Sequence, residues 1–151
     1  MARTATRAGV LPLDRQMCFP LYAASNLLTR LYRPILSELG LTYPQYLVML
    51  VLWERSPQPM SALGEQLYLD SGTLTPLLKR MEAAGLVTRE RDSVDERRVF
   101  IALTPKGEDL RAEAICIPRR LAEGTGFTPQ LAENVRTAVG ELISALRRRP
   151  G

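Results

Sequence analysis

The 151-residue chain carries 20 Lys and Arg against 16 Asp and Glu, a net charge of +4, and 46% of it is hydrophobic. Such a chain is one globular domain in length, able to bury a sizeable core, with a modest basic excess that suits an acidic partner such as DNA. No histidine is present and there are only two, widely separated, cysteines. This excludes Ser-His and Cys-His catalysis, zinc-finger spacing and most metal sites, so no metal or cofactor is expected and an enzyme would have to rest on cysteine alone.

The longest apolar run, Tyr46 to Trp53, is too short to span a bilayer. The N-terminal residues 1–10 are basic but lack the apolar stretch of a secretory signal, so a cytoplasmic protein with a loose arm over 1–12 is expected. Asp14 is a candidate cap for a first long helix, whose apolar residues Leu21, Ala24, Leu28, Leu31 and Ile35 alternate at helical spacing. Pro20 and Pro34 each remove one backbone bond and would kink a helix interior, and Pro20 suits a helix beginning near Cys18. Gly40 ends it. Thr42 or Tyr43 caps the next helix, with Pro44 in its first turn; Pro44 to Glu54 is apolar almost all round and reads as the buried spine. The stretch 56–59 reads as a loop.

Met60 to Thr104 is the most informative segment. Ser61 to Leu67 predicts a short helix with Ser61 as its cap, and Tyr68-Leu69-Asp70 a tight turn. Ser71 then caps a second helix running to about Ala84, with Leu74, Leu77, Leu78 and Met81 on one face and Gly85 after its end. The other face carries Thr73, Thr75, Lys79 and Arg80. Two helices joined by a three-residue turn, the second with hydroxyls and bases outward, form a helix-turn-helix signature. Two β-like runs follow, Leu86 to Arg91 and Arg98 to Leu103, around the polar tip 92–97: a hairpin wing. Thr104 and Pro105 open another helix running toward Leu121 with a kink at Pro118. After the turn 124–126, Thr128-Pro129 begins a last helix striped by Leu131, Val135, Val139, Leu142 and Leu146 and ending in Arg147-Arg148-Arg149.

The expected fold is mainly α with a small β-wing: a winged helix-turn-helix core over 41–104, with helices at 13–40 and 105–149 forming a dimerisation region within one domain. Two amphipathic helices with no sheet to cover need a partner, and a second copy is the economical one. On DNA, Ser71, Gly72, Thr73 and Thr75 are placed to reach base edges or phosphates. Lys79 and Arg80 are placed for phosphates, and Arg97 at the wing tip for the minor groove, with Asp95 orienting it.

The stretch DERRVFIALT, Asp95 to Thr104, resembles the wing signature of MarR-type regulators. LTYPQYLVMLVLWE and GEQLYLDSGTLTPLLKRMEAAGLVTR resemble one branch of that family, the organic-hydroperoxide-sensing OhrR repressors. The likeness runs from about Gln16 to Leu121. It implies a homodimer on a pseudo-palindromic duplex operator that senses organic hydroperoxides through Cys18. Tyr22 lies one helical turn from Cys18, and in such proteins the tyrosines matching Tyr32 and Tyr43 hydrogen-bond to the cysteine from the other subunit. A phenol donating to sulfur stabilises the thiolate, the form that attacks a peroxide. Phe19, Leu21 and Trp53 are candidate apolar walls.

Cys116 is the candidate second redox cysteine. The resolving position of two-cysteine relatives aligns nearer Gly124 to Gly126, so a one-cysteine sensor capped by a low-molecular-weight thiol is the reading preferred here. Two alternatives compete: a MarR-type regulator answering a small phenolic ligand, and a cysteine peroxidase.

Overall fold

Thr42 opens the most deeply buried helix of the chain. Its hydroxyl accepts from the Gln45 amide at 3.3 Å while the Gln45 side-chain oxygen accepts from the Thr42 amide at 3.0 Å, a reciprocal capping box. The computed structural model describes residue 9 and residues 11–148. The helix, α2 (Tyr43–Glu54), buries Tyr46, Val48, Met49, Leu52 and Trp53 as its all-round apolar sequence demands, and leaves Leu50 43% exposed. Before it runs α1 (Cys18–Ser37), which starts where Pro20 can sit in a first turn that needs no donor. Asp14 does not cap α1. It lies in a separate short 3-10 turn, Leu13–Arg15, and Met17 precedes α1 without a side-chain cap bond.

The helix-turn-helix is formed by α3 (Met60–Leu67) and α4 (Ser71–Ala83). Two caps differ from expectation. Met60 begins α3 directly after Pro59, so Ser61 lies inside the helix. At α4 the cap is Asp70, whose carboxylate accepts from the Thr73 amide at 2.8 Å, and Ser71 is the first helical residue. A carboxylate at that position also meets the positive end of the helix dipole, a combination a serine hydroxyl cannot match. Thr73 donors hold the Asp70 carboxyl below the usual carboxylate range.

Helices α1, α3 and α4 end alike, with the amide of one residue returning to a carbonyl five back: Leu41 to Leu36, Leu69 to Gly64, and Leu86 to Met81, at 3.0, 2.9 and 3.0 Å. This ending puts one residue in the left-handed region. Gly40 and Gly85 fill it at two ends (φ 68° and 75°), but Tyr68 fills it at the helix-turn-helix turn with φ 56°, the one non-glycine positive φ among the described residues. A side chain there costs on the order of 1–2 kcal/mol.

The wing consists of β2 (Val87–Arg91) and β3 (Val99–Leu103), antiparallel, with Val87 opposite Leu103 and Arg91 opposite Val99. A further strand lies where a loop is expected from sequence: β1 (Gln58–Pro59) pairs with β3, giving the order β1-β3-β2. Two prolines flanking Gln58 disguise it, since proline removes ladder donors and is tolerated only at a sheet edge. Gln58, the one buried polar residue among those described, donates to the carbonyls of Val51 (3.2 Å) and Arg55 (2.8 Å) and accepts from Gln66 (2.8 Å). It thereby ties α2 and α3 to the sheet.

Thr104 caps α5 (Pro105–Ala114) through the Gly107 amide at 3.0 Å. The single helix expected to run on to Leu121 is in fact two, α5 and α6 (Ile117–Ala122), because Pro118 has no N–H for the Ala114 carbonyl. The chain divides into two units at this point, 1–114 and 115–151. The second holds α6 and α7 (Pro129–Arg147), the latter capped by the Thr128 hydroxyl on the Leu131 amide at 3.1 Å. The greater part of the N-terminal arm and Arg149 of the basic end lie outside the described residues. Among the described residues no helix is long and apolar enough to cross a membrane.

At the start of α5, a methyl group on Gly107 would collide with the Leu86 carbonyl oxygen and press the Leu103 side chain at 3.2 Å. Gly107→Ala should therefore destabilise the chain by about 1–3 kcal/mol, lowering Tm by several degrees for a domain of this size. An unchanged thermal midpoint would show that the Leu86 backbone can step aside.

Candidate nucleic-acid interface and redox site

Leu74, Leu77, Leu78 and Met81 are buried, which fixes the rotation of α4 about its axis. The face left to solvent holds Ser71, Gly72, Thr73, Lys79 and Arg80, with Thr75 half-buried at its margin. A Cβ on Gly72 would meet only the Asp70 carboxylate at 3.4 Å, so the first turn of α4 is uncluttered. The C-terminal end of α4 is held by α5: the Thr104 hydroxyl donates to the Gly85 carbonyl at 2.6 Å and Lys106 Nζ to the Ala84 carbonyl at 2.9 Å. The wing is tied to the same helix, since Glu82 accepts from the Arg89 amide at 3.2 Å.

At the wing tip Arg97 is clamped by Asp95, Nε to Oδ1 at 3.1 Å and Nη2 to Oδ2 at 3.5 Å, with the Arg97 side chain 91% exposed. The same Asp95 oxygen accepts from the Arg97 amide at 3.1 Å. The Arg97 guanidinium, then its amide, hold the Asp95 carboxyl below the usual carboxylate range. The clamp is therefore in place at neutral pH and is lost as pH falls through that lowered value. Asp95 thus holds Arg97 while the guanidinium stays exposed to solvent. Beside it Arg98 lies over the Phe100 ring at 5.1 Å and faces Asp92 at 3.8 Å.

The residues expected to sense oxidation separate into two groups. Cys18, the first residue of α1, and Tyr22 one turn on are both exposed, Tyr22 by 68%. Cys18 is thus not the packed core cysteine that an apolar neighbourhood usually signals. Tyr32 lies far along the same helix, about 21 Å away at 1.5 Å per residue. There it meets Tyr43, ring centroids 4.7 Å apart, and Tyr46, at 5.9 Å. Burial first, then the neighbouring Tyr43 and Tyr46 hydroxyls, push the Tyr32 phenol up to about 12. Tyr46 is raised for the same reasons, burial and Tyr43.

Tyr46 is a member of this cluster that the sequence reading passes over, although its spacing from Tyr43 puts both on one face of α2. Trp53, expected as an apolar wall, is edge-on to Tyr46 at 6.4 Å and donates its indole N–H to the Gly107 carbonyl at 2.9 Å. Cys116 is half-buried at the entry to α6 and, like Cys18, is a thiol outside any disulfide. Among the described residues no group of acidic or cysteine side chains could hold a metal ion.

A helix-turn-helix with an outward polar face, followed by a three-stranded sheet whose hairpin ends in a clamped arginine, defines a winged helix-turn-helix protein. A family model described as "Transcriptional regulator SarA/Rot" matches residues 30–114. The "Organic hydroperoxide resistance transcriptional regulator" of Bacillus subtilis (strain 168) is 46% identical over 136 residues, 90% of each chain. The HTH-type transcriptional regulator TtmR of Methylorubrum extorquens (strain PA1) is 53% identical over 116 residues, 77% of this chain and 60% of that one. Among solved structures, reduced AbfR bound to DNA is 36% identical with a TM-score of 0.78, covering 89% of this chain and 92% of that one. AbfR with its disulfide formed is 38% identical with a TM-score of 0.63, covering 87% and 92%. The chain belongs to the MarR family of transcriptional regulators, close to those of organic hydroperoxide resistance. It is a regulator rather than an enzyme, which removes the cysteine-peroxidase alternative.

With a phenol held up to about 12 in the folded chain and 10.0 as its ordinary value, Tyr32 keeps its proton in the fold over a range where the unfolded chain loses it. Its contribution to stability is whole below pH 10 and is lost as pH rises toward 12. Tyr32→Phe should therefore flatten the alkaline loss of stability in denaturant titrations between about pH 10 and 12. An identical slope in native and variant chains would place the raised phenol elsewhere.

Proposed function

We propose that the chain is a cytoplasmic, homodimeric DNA-binding repressor that releases its operator when an organic hydroperoxide oxidises Cys18. The observation that carries this reading is an exposed Cys18 at the start of α1 in a chain 46% identical to a regulator named for organic hydroperoxide resistance. Within one chain Cys18 and the Tyr32–Tyr43 pair stand too far apart on α1 to touch. A second copy supplies the missing half: the tyrosine pair of one subunit donates to the Cys18 sulfur of the other and favours the thiolate.

The apolar surface supports the same pairing. On α7 Leu131, Val135 and Leu146 are 43%, 53% and 56% exposed, and on α1 Leu27 and Leu28 are 63% and 39% exposed. Covering such stripes is worth about 25 cal/mol per Å² of apolar area. The segments 13–40 and 105–149 are accordingly the dimerisation helices of a single MarR-like domain, and 41–104 is its DNA-binding core.

The chemistry balances without a cofactor. The Cys18 thiolate attacks the distal oxygen of the hydroperoxide, a sulfur–oxygen bond forms and the O–O bond breaks. The alkoxide leaves and takes a proton to become the alcohol. Sulfur is oxidised by two electrons to sulfenic acid. A low-molecular-weight thiol then attacks the Cys18 sulfur, an S–S bond forms as the S–O bond breaks, and water leaves to give a mixed disulfide, with Cys116 a packing residue. The bulkier polar sulfur no longer accepts the phenol hydrogen bonds, and the two winged cores move. Half-sites lie roughly 34–36 Å apart on one face of the duplex, so a small rotation misaligns one recognition helix.

On DNA, Ser71, Gly72, Thr73 and Thr75 meet base edges and nearby phosphates, Lys79 and Arg80 phosphates, and Arg97, held by Asp95, the minor groove. The test is a gel shift on DNA from the protein's own gene neighbourhood, with and without cumene hydroperoxide. The native chain should lose its shift; Cys18→Ser should bind and ignore the oxidant. Release of DNA from Cys18→Ser sinks the sensing role. An intersubunit Cys18–Cys116 disulfide on a non-reducing gel replaces the one-cysteine scheme with a two-cysteine one. Arg97→Ala should weaken binding most on sites with A·T-rich flanks, where the narrow minor groove concentrates negative potential. Equal loss on G·C-rich flanks would count against a minor-groove role.

A further inference from the structure

The tyrosine cluster and the end of the recognition helix are joined by an unbroken set of contacts inside the first unit of the chain. Tyr32 packs on Tyr43 at 4.7 Å and on Tyr46 at 5.9 Å. Tyr46 meets the edge of Trp53 at 6.4 Å, and the Trp53 indole N–H donates to the Gly107 carbonyl at 2.9 Å in a buried setting. The Gly107 amide donates to the Thr104 hydroxyl at 3.0 Å, and that hydroxyl donates to the Gly85 carbonyl at 2.6 Å, directly after α4. Slack is absent at the centre of this set, because Gly107 lies so close to the Leu86 carbonyl that even a methyl group has no room.

Tyr43, Tyr46 and Trp53 all belong to α2, one continuous helix of 12 residues. A displacement imposed at the Tyr43 end is carried to Trp53 as a whole. Besides the direct packing of α2 on α4, one indole hydrogen bond and one threonine hydroxyl pass it on to the end of α4. We propose that Trp53 and Thr104 are positioning residues that couple the sensing tyrosines to the recognition helix, so that the redox state of Cys18 sets the placement of α4 through the Gly107 peptide. This rests on the reading of Cys18 as the sensor. The links are directional hydrogen bonds to backbone groups: the Trp53 bond to Gly107 is buried, the Gly107 bond to Thr104 half-buried and the Thr104 bond to Gly85 exposed, so the first two are those whose loss leaves a backbone group short of its partner.

Trp53 is also the single tryptophan of the chain, so its emission reports the junction without a label. In the native protein, full oxidation of Cys18 by cumene hydroperoxide should shift or quench that emission, while Cys18→Ser should show no change. DNA affinity is then measured for reduced and oxidised protein on the fragment used above. Trp53→Phe keeps the ring but not the donor, and Thr104→Val keeps the shape but not the hydroxyl. Both should bind DNA when reduced, and each is compared after Cys18 has been fully oxidised, as checked by loss of its reactive thiol. Their ratio of reduced to oxidised affinity should fall at least tenfold below the native ratio, and Thr104→Ser should restore it. A purely structural role would lower both affinities together and leave the ratio alone. That outcome in both variants, or an emission that does not move while DNA is released, overturns the coupling. If the native chain itself keeps its DNA on oxidation, the sensing reading fails, and this inference with it.

Discussion

The peptide of Gly107 is the constraint on which the winged core depends. Its carbonyl accepts from Trp53 of α2, its amide donates to Thr104, and its missing side chain lets α5 lie against the backbone at Leu86. Four segments, α2, the end of α4, the start of β2 and the start of α5, are thereby referred to one point. None of these bonds is strong by itself, since an ordinary hydrogen bond contributes about 1 kcal/mol net. Their value lies in burial and geometry: each satisfies a backbone group that would otherwise be left without a partner, and together they leave α4 little freedom to turn.

A stiff core of this kind suits a protein that must read a fixed spacing on another molecule. The outward face of α4 presents hydroxyls, lysine and arginine on a helix whose rotation is set by four buried apolar residues and whose end is capped from α5. The wing shows the same economy. Arg97 would sample many rotamers as an isolated surface arginine; the Asp95 clamp holds it in one, at the small cost in entropy that an exposed pair can bear. Tyr68 stands apart, because the helix-turn-helix turn asks for a left-handed residue and receives a tyrosine where two sister helix ends receive glycine. The surrounding 6→1 hydrogen bond, Leu69 to Gly64, keeps it there.

Helix α1 is organised differently. One chain holds an exposed thiol at one end of α1 and a packed tyrosine cluster at the other, and neither group completes a site. Both α1 and α7 carry apolar residues that the chain itself does not cover. On the function proposed above, a two-fold dimer reunites this divided site, each copy lending its tyrosines to the other's cysteine.

Much of this was legible in the residues alone. The buried face of α4 followed from the spacing of Leu74, Leu77, Leu78 and Met81, the hairpin from two β-like runs around a polar tip, and the Asp95–Arg97 pair from its two-residue separation, because each is set by local periodicity or by neighbours in the chain. Caps were less legible: Asp70, not Ser71, opens α4, since two adjacent residues could both serve and only the hydrogen bond to Thr73 distinguishes them. From sequence the break between α5 and α6 cannot be told from a kink, because a proline's effect depends on what else supports the helix. Long-range features were not legible at all. Gln58 and its short strand, Tyr46 in the aromatic cluster, and the Trp53–Gly107 bond between residues 54 positions apart exist only because the packed core brings distant segments together and their buried polar groups must then find partners.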